Sequence, residues 1–446
     1  MRAIHIHWEE NRFNDSRICY AINFLDTHPL KPNDVRVLGQ DSTGNESILM
    51  YSLEKTAKIP AQNGFFRLDK AIQTSYSASE FNYKESKVHG VTLSKVTNVD
   101  FYQNGKFGFD ILETIFFHIS RYEEFYANEE DLSYTNCLEE TKQFLVRHEL
   151  YETPVVDHLV KAFFESLLNI DLQKKTTYSI SHDIDLLWRF KPNYKIARNV
   201  IADIYHRRGI DKIKRGISYF SKMKREKLKD PYDCFHFLFR PEGFWKSKVL
   251  YLMVGGETKF DNKYSIDDPK VAEIISSAKE LGYKIGLHPS YNCLNKPSLY
   301  TAEKKTLENK INDAVLDNRQ HVLRWEWKQT PNILEDSGIQ SDSTMGFTRR
   351  LGFRSGTGYK YQLYDLNSEY VYGFYELPMS FMESSAIHYA SENNKSISEV
   401  MRSFLNKNKF NTHIEMNVHN SNFDPTLIYG QEMVEFYTKT LNEIIE

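Results

Sequence analysis

The stretch SISHDIDLLWRF, Ser179 to Phe190, carries a run of β-favouring residues into a histidine and two acids: His182, Asp183 and Asp185. Charge is costly to bury, so such a strand end is either solvated or part of a site. The pattern recurs further on. His288, Ser290 and Asn292 follow the apolar run in GLHPSYN, and Arg319, His321 and Arg324 lie in RQHVLRWEW. Asp342 lies in SDSTMGF, and His419, Asn420 and Asn422 end NVHNSNF. So many polar strand endings in one register are hard to explain as surface solvation. Asp and His together are the ligands of a divalent metal such as zinc. A catalytic metal with an open position makes hydroxide available near neutral pH, so the chemistry implied is hydrolysis.

Groups placed this way need parallel strands joined by crossover helices. Val249–Val254 reads as a buried strand, and Asp268 with Pro269 caps a helix over Val271–Leu281 that Gly282 stops. Tyr283–Leu287 runs as a strand into His288, and Thr301 opens the next helix. His321–Trp325 reads as a strand, Pro331–Ser337 as a short helix, and Ile339–Ser341, Tyr375–Pro378 and His413–Val418 as further strands. The prediction is an α/β fold: about seven parallel strands over residues 176–446, which suggests a barrel with its reactive groups at the strands' carboxyl ends.

Residues 1–175 read as a smaller accessory α/β domain with strands at Ala3–His7 and Val35–Leu38. Its helices are Phe109–Phe125, with Asp110 and Glu113 in capping-box spacing, and Val155–Leu168. Arg121, Glu123 and Glu124 read as the solvated end of the first helix. Residues 191–230 form a basic helical insertion, with 12 Lys or Arg against 4 Asp or Glu between Lys195 and Asp230. A solvated face is favoured there over peripheral contact with an anionic lipid surface or sugar polymer.

With 41% hydrophobic and 26% charged residues the composition is that of an ordinary soluble protein, and a net charge of -3 gives no global pull toward nucleic acid. Cys19, Cys137, Cys234 and Cys293 are scattered without a CxxC pair, which argues against a thiolate zinc site and a disulfide framework. The start, MRAIHIHWEENRF, has no apolar core of signal length, and no apolar run is long enough to span a bilayer. The expectation is a cytoplasmic protein. Aromatics at 14% suit carbohydrate-facing surfaces as well as core packing.

SHDID followed by GLHPSYN, RQHVLRW, DSTMGFTRRLGFRSGT and a late VHN resembles the polysaccharide deacetylases, carbohydrate esterases of the chito-oligosaccharide deacetylase type. It looks most like a divergent bacterial branch with an N-terminal extension. The likeness covers roughly residues 176–446 and the SRYEEFY helix of the extension. It implies a distorted (β/α) barrel and metal-dependent removal of N-acetyl groups from a carbohydrate substrate. By the same resemblance Asp183 is the general base, Asp185 and His288 bind the metal, and His419 is the general acid. Family members usually have the two acids adjacent; here Ile184 separates them, and alternate strand residues share a face, which turns His182 away. Asn292 stands where a second metal-binding histidine is usual, so the third ligand is Asn292 or His321. Arg324 matches the arginine that orients the base, with Arg319 as its competitor. Arg354 is placed to clamp a substrate carboxylate or phosphate, or to pair with Asp342. Asp342, Ser290 and Trp325 complete the substrate-binding candidates, the tryptophan as a ring for a sugar to stack on. The expected cofactor is a divalent metal, zinc foremost. Two other functions stay open: an O-acetyl carbohydrate esterase, and a catalytically silent carbohydrate-binding or assembly protein.

Overall fold

The computed structural model describes residues 2–8, 15–39, 54–62, 64–66, 76–190, 210–240, 245–261 and 264–445. Its organising strand is Thr177–Ile184, buried along nearly its whole length. It pairs in parallel with Trp245–Leu252 on one side and His413–Asn417 on the other. From Trp245–Leu252 the sheet continues through Lys284–Leu287, Asp317–Asn318, Ser341–Asp342 and Tyr370–Glu376 to the edge strand Tyr361–Asp365. Past His413–Asn417 it ends at Met379–Met382. Eight of these nine strands are parallel, and only Tyr361–Asp365 runs against its neighbour.

The sheet curls into a half-barrel and does not close into the expected barrel of about seven strands. Closure would need the two edge strands to pair. Instead the Tyr361–Asp365 edge meets the N-terminal block: Tyr20 Oη donates to the Gln362 carbonyl at 2.5 Å, and the Tyr364 ring packs on Tyr20 and Phe116. A covered edge has no need of a partner strand. Crossover helices follow the predicted pattern. Asp268 caps Pro269–Glu280 by accepting the Lys270 amide at 2.9 Å, and the buried face is Val271, Ile274, Ile275 and Ala278.

Two predicted strands need correction. His321–Trp325 is not a strand: the strand here is Asp317–Asn318, and His321–Leu323 is a tight turn in which Val322 and Leu323 both have φ of 53°. Tyr375–Pro378 straddles a break between Tyr370–Glu376 and Met379–Met382. Of the basic insertion, residues 191–209 lie outside the described residues; Ile210–Glu226 is helical, with Lys222, Lys224 and Arg225 at the surface. Among the described residues no helix is long and apolar enough to cross a membrane.

In the N-terminal block Arg2–Trp8 lies between Val35–Gly39 and Glu54–Ile59 in a second, smaller sheet. The predicted helix 109–125 begins as expected, with Asp110 Oδ1 accepting the Glu113 amide at 3.0 Å. It breaks after Ile119, where Arg121 takes φ of 52°, and resumes as Tyr122–Phe125. That break turns the supposed solvated end inward: Arg121, Glu123 and Glu124 are all buried. Glu124 receives Arg354 through both oxygens, at 2.8 Å from Nε and 2.6 Å from Nη2, and Arg121 Nη2 at 2.6 Å. Arg121 also donates to the Arg354 carbonyl. A second tie lies beside it. Asp157 accepts from Thr357 Oγ1 at 2.5 Å, Thr412 Oγ1 at 2.6 Å and the Gly358 amide at 3.1 Å. Gly358 is obligatory, because a Cβ there would sit 1.9 Å from the His413 carbonyl. Arg354 is therefore not a substrate clamp and does not pair with Asp342; the GFRSGT loop holds the N-terminal block to the half-barrel.

Burial alone would raise the Glu124 carboxyl; Arg121 and Arg354 reverse this and bring it down to about 2. A depressed carboxylate stabilises the fold above its unfolded pKa, and that stability is lost as pH falls through the folded value. Glu124→Gln is expected to cost about 3–5 kcal/mol at pH 7, because it strands two buried guanidinium groups. It should also flatten the loss of stability between about pH 5 and pH 2 relative to the unaltered chain. Denaturant unfolding across that range measures both effects.

Candidate metal and catalytic site

All the strand-end groups lie at the same, carboxyl end of the sheet, because the strands that carry them are parallel. Asp183 is the seventh residue of Thr177–Ile184 and Asp185 lies just beyond it, so both face inward. His182 faces the other way, with Nδ1 2.8 Å from the Val418 carbonyl oxygen and Nε2 3.3 Å from Tyr283 Oη. His288 follows Lys284–Leu287, and His321 stands on the turn beyond Asp317–Asn318.

Asp185, His288 and His321 bring one ligand atom each within 4.8 Å of one another. His288 Nε2 is 3.0 Å from His321 Nδ1, and Asp185 Oδ1 is 3.4 Å and 3.7 Å from these two nitrogens. Tetrahedral ligands at metal distances of about 2.0–2.1 Å stand about 3.3–3.4 Å apart, so the three atoms have the right spacing. The rings' other nitrogens add a stronger argument. His288 Nδ1 lies 2.6 Å from the Arg319 carbonyl oxygen and His321 Nε2 lies 2.9 Å from the Phe260 carbonyl oxygen. Carbonyls only accept, so both of these nitrogens carry their protons. In the neutral rings the two facing nitrogens are then bare, lone pair toward lone pair. A cation must stand between them, either a proton or a metal ion. Asp185 Oδ1, buried with no hydrogen-bond partner among the described residues, points at the same place. These residues fit a divalent ion.

Asp183 is anchored differently. Arg319 Nη1 donates to its Oδ1 at 2.9 Å and Asn417 Nδ2 to its Oδ2 at 2.7 Å. Burial would raise its pKa, but the Arg319 charge, helped by His288 and His419, holds it below the usual carboxylate range. Oδ2 is 3.9 Å from His288 Nε2 and 3.7 Å from His419 Nε2, so the base candidate lies between the metal cluster and the acid candidate.

His419 is aimed by Glu383, whose Oε1 lies 2.8 Å from His419 Nδ1 and accepts the His419 amide at 2.9 Å and Asn422 Nδ2 at 2.6 Å. Burial disfavours a charged ring, but the Glu383, Asp185 and Asp183 carboxylates outweigh it and raise the imidazole to about 10. Nε2 is left facing the two aspartates.

Several sequence assignments are placed elsewhere. Arg324 does not reach Asp183; it donates to the Tyr291 carbonyl at 2.5 Å and covers the Tyr291 ring, which stacks on Phe260. The arginine on Asp183 is its competitor, Arg319. Trp325 is fully buried against Trp327 and offers no face to a sugar. Ser290 is tied to Glu303 Oε1 at 2.5 Å, and Asp342 is buried among Asn318 and Thr344. Asn292 is half-buried on the short turn Tyr291–Asn295. Sequence reasoning missed Glu383 and Asn417. Glu383 directly follows the apolar strand Met379–Met382, the same signal that exposed the other groups.

A family described only as a family of unknown function, DUF7033, matches residues 7–171. No curated protein matches the chain. A candidate polysaccharide deacetylase from Mycobacterium smegmatis is similar at 12% identity and a TM-score of 0.31, over 61% of this chain and 85% of that one. The 4-alpha-glucanotransferase of Thermococcus litoralis is similar at 10% identity and 0.34, over 60% and 36%. A mutant of a CE4 family pseudoenzyme with restored enzymatic activity is similar at 7% identity and 0.26, over 61% and 68%. Likenesses this remote carry no functional argument, and the site has to be read from its own geometry.

Proposed function

We propose that the chain is a metal-dependent hydrolase that removes N-acetyl groups from an amino-sugar glycan or its precursor. The observation that carries this reading is the pair of facing imidazole nitrogens on His288 and His321, with Asp185 beside them and Asp183 and His419 alongside. A divalent ion held by Asp185, His288 and His321, zinc foremost, would supply Lewis acidity and lower the pKa of water.

The protein's own groups account for the proton transfers. Asp183, kept ionised by Arg319, takes the proton of the attacking water through Oδ2. His419 stands across from it with its proton on Nε2. Glu383 holds the other ring nitrogen, which fixes both the orientation of the ring and its charge. An amide's nitrogen must be protonated to leave, whereas an ester's alkoxide leaves with less help. A histidine whose other ring nitrogen lies against the Glu383 carboxylate is favoured in its acid form, which suits the amide and supports N-acetyl over O-acetyl substrates. Asp185 and His419 are the members of the set with partial exposure, 30% and 13%, so substrate enters on their side.

Three variants separate the roles. His321→Ala should lower zinc affinity by about 100-fold or more, read by metal content after dialysis, since even changes behind a ligand cost about 10–100-fold. Asp183→Asn should keep stoichiometric zinc yet lose about 10²–10⁴ in kcat for acetate release from chito-oligosaccharides. Undiminished turnover in Asp183→Asn would remove it as the base. Glu383→Gln should lower kcat about 10²-fold with KM little changed, because it acts on a proton transfer and not on binding. Paired N- and O-acetylated sugars assayed with the same enzyme give the substrate class; preference for the ester would overturn the N-acetyl assignment.

A further inference from the structure

The amino ends of the same strands enclose a second space. It is a cavity of about 1460 Å³ in the mouth of the half-barrel opposite the aspartates. Thr177 and Ser179 line it from the strand that carries Asp183 at its far end. Between the two lies one packed layer: Ser181 bonded to Arg319, and Arg319 stacked 4.4 Å above the Tyr251 ring, whose side chain also lines the cavity. The cavity is thus separate from the site described above.

Its wall is strongly basic. Seven lysines line it against two acids, Asp313 and Asp317. Lys174, Lys248 and Lys279 each donate to a backbone carbonyl, of Pro29, Leu281 and Ile311. These bonds fix their heads in place without neutralising them. The other four, Lys175, Lys246, Lys284 and Lys360, are exposed around the opening; among the described residues, Lys284 alone of these four forms an ion pair, with Asp317 at 3.9 Å. One polar group inside is unsatisfied. His413 is 94% buried and lines the cavity; its Nδ1 is 2.8 Å from Thr177 Oγ1, and its Nε2 is buried with no partner among the described residues. The Thr177 hydroxyl can either donate to Nδ1 or accept from it, so Nε2 is an unpartnered donor or acceptor according to the tautomer. Excess positive charge in a concave, partly enclosed wall concentrates anions.

We infer that this cavity binds a small molecule bearing a diphosphate or longer phosphate chain. One compact anion with several charges matches the surplus of lysines, and its oxygens accept from His413 Nε2 in the tautomer that carries the proton there. The chain can come as inorganic polyphosphate or as part of a nucleotide. In the second case a ring is at hand for the base: Tyr375 is 39% exposed in the lining, with Lys360 4.6 Å from its centroid.

Calorimetric titration of the full chain with tripolyphosphate and with ADP tests the assignment. Saturable 1:1 binding that weakens with added salt is expected, together with a shift of the His413 Nε2 resonance in histidine-labelled protein. ADP binding well above tripolyphosphate assigns the nucleotide; comparable binding assigns the phosphate chain alone. Lys246→Glu with Lys360→Glu should weaken binding about tenfold or more, while the surface pair Lys305→Glu with Lys395→Glu should not. Lys246→Ala and Lys360→Ala singly, checked by circular dichroism, give the same reading if the double reversal fails to fold. No saturable binding of either probe to folded protein, or wild-type affinity in the cavity variants, would overturn the inference.

Discussion

The half-barrel is built around one guanidinium. Arg319 is wholly buried, and its donors are all engaged: Nε with the Ser343 carbonyl, Nη1 with Ser181 Oγ and Asp183, Nη2 with Ser343 Oγ and Glu415. It holds the buried Asp183 carboxyl in its ionised form, and it also bonds Glu415, whose carboxyl burial still pushes up to about 7. It also reaches across the sheet, joining the strand of Asp183 to that of Glu415 and to the loop after Asp342. Lysine could not replace it, since a single ammonium has neither the reach nor the fork of donors. Its backbone takes part as well, for the Arg319 carbonyl accepts from His288. One residue therefore orients both the base candidate and a metal-ligand candidate, and an error in its placement would reach both.

Much of this was legible in the sequence because charge at the end of an apolar strand has few innocent explanations. The alternation that puts Asp183 and Asp185 on one face and His182 on the other follows from strand geometry alone. What escaped did so for identifiable reasons. His321–Trp325 has the look of a strand in sequence, but Val322 and Leu323 take positive φ angles that run against local preference, and only the surrounding fold imposes them. Arg324 fitted the motif by spacing, but Arg319 directly follows a strand end, and position on the sheet decided between them. Trp325 showed apolar character that could equally serve a core, and the core claimed it.

The Gly-rich loop at Arg354 shows a different limit. A buried arginine among glycines suggests an anionic ligand, and it does hold a carboxylate, but that carboxylate belongs to Glu124 of the same chain. Nothing local in GFRSGT distinguishes the two cases. The matching hint lay in SRYEEFY, where an arginine and two glutamates sit close to an apolar helix face. The two segments explain each other only when taken as a pair.

That pairing bears on the order in which the molecule can be made. Glu124 waits 230 residues for Arg354, and Asp157 waits 255 for Thr412. Contacts so far apart in sequence close large loops and form late. As the chain leaves the ribosome, the N-terminal block emerges with these acids still lacking their partners. Thr412 immediately precedes the strand that also carries Asn417 and leads to His419, so the final strand to be threaded into the sheet is the one that both locks the two halves together and brings in the acid candidate. A nascent or truncated chain would therefore lack the docking and the acid candidate together, so the candidate site cannot be complete before the half-barrel is anchored.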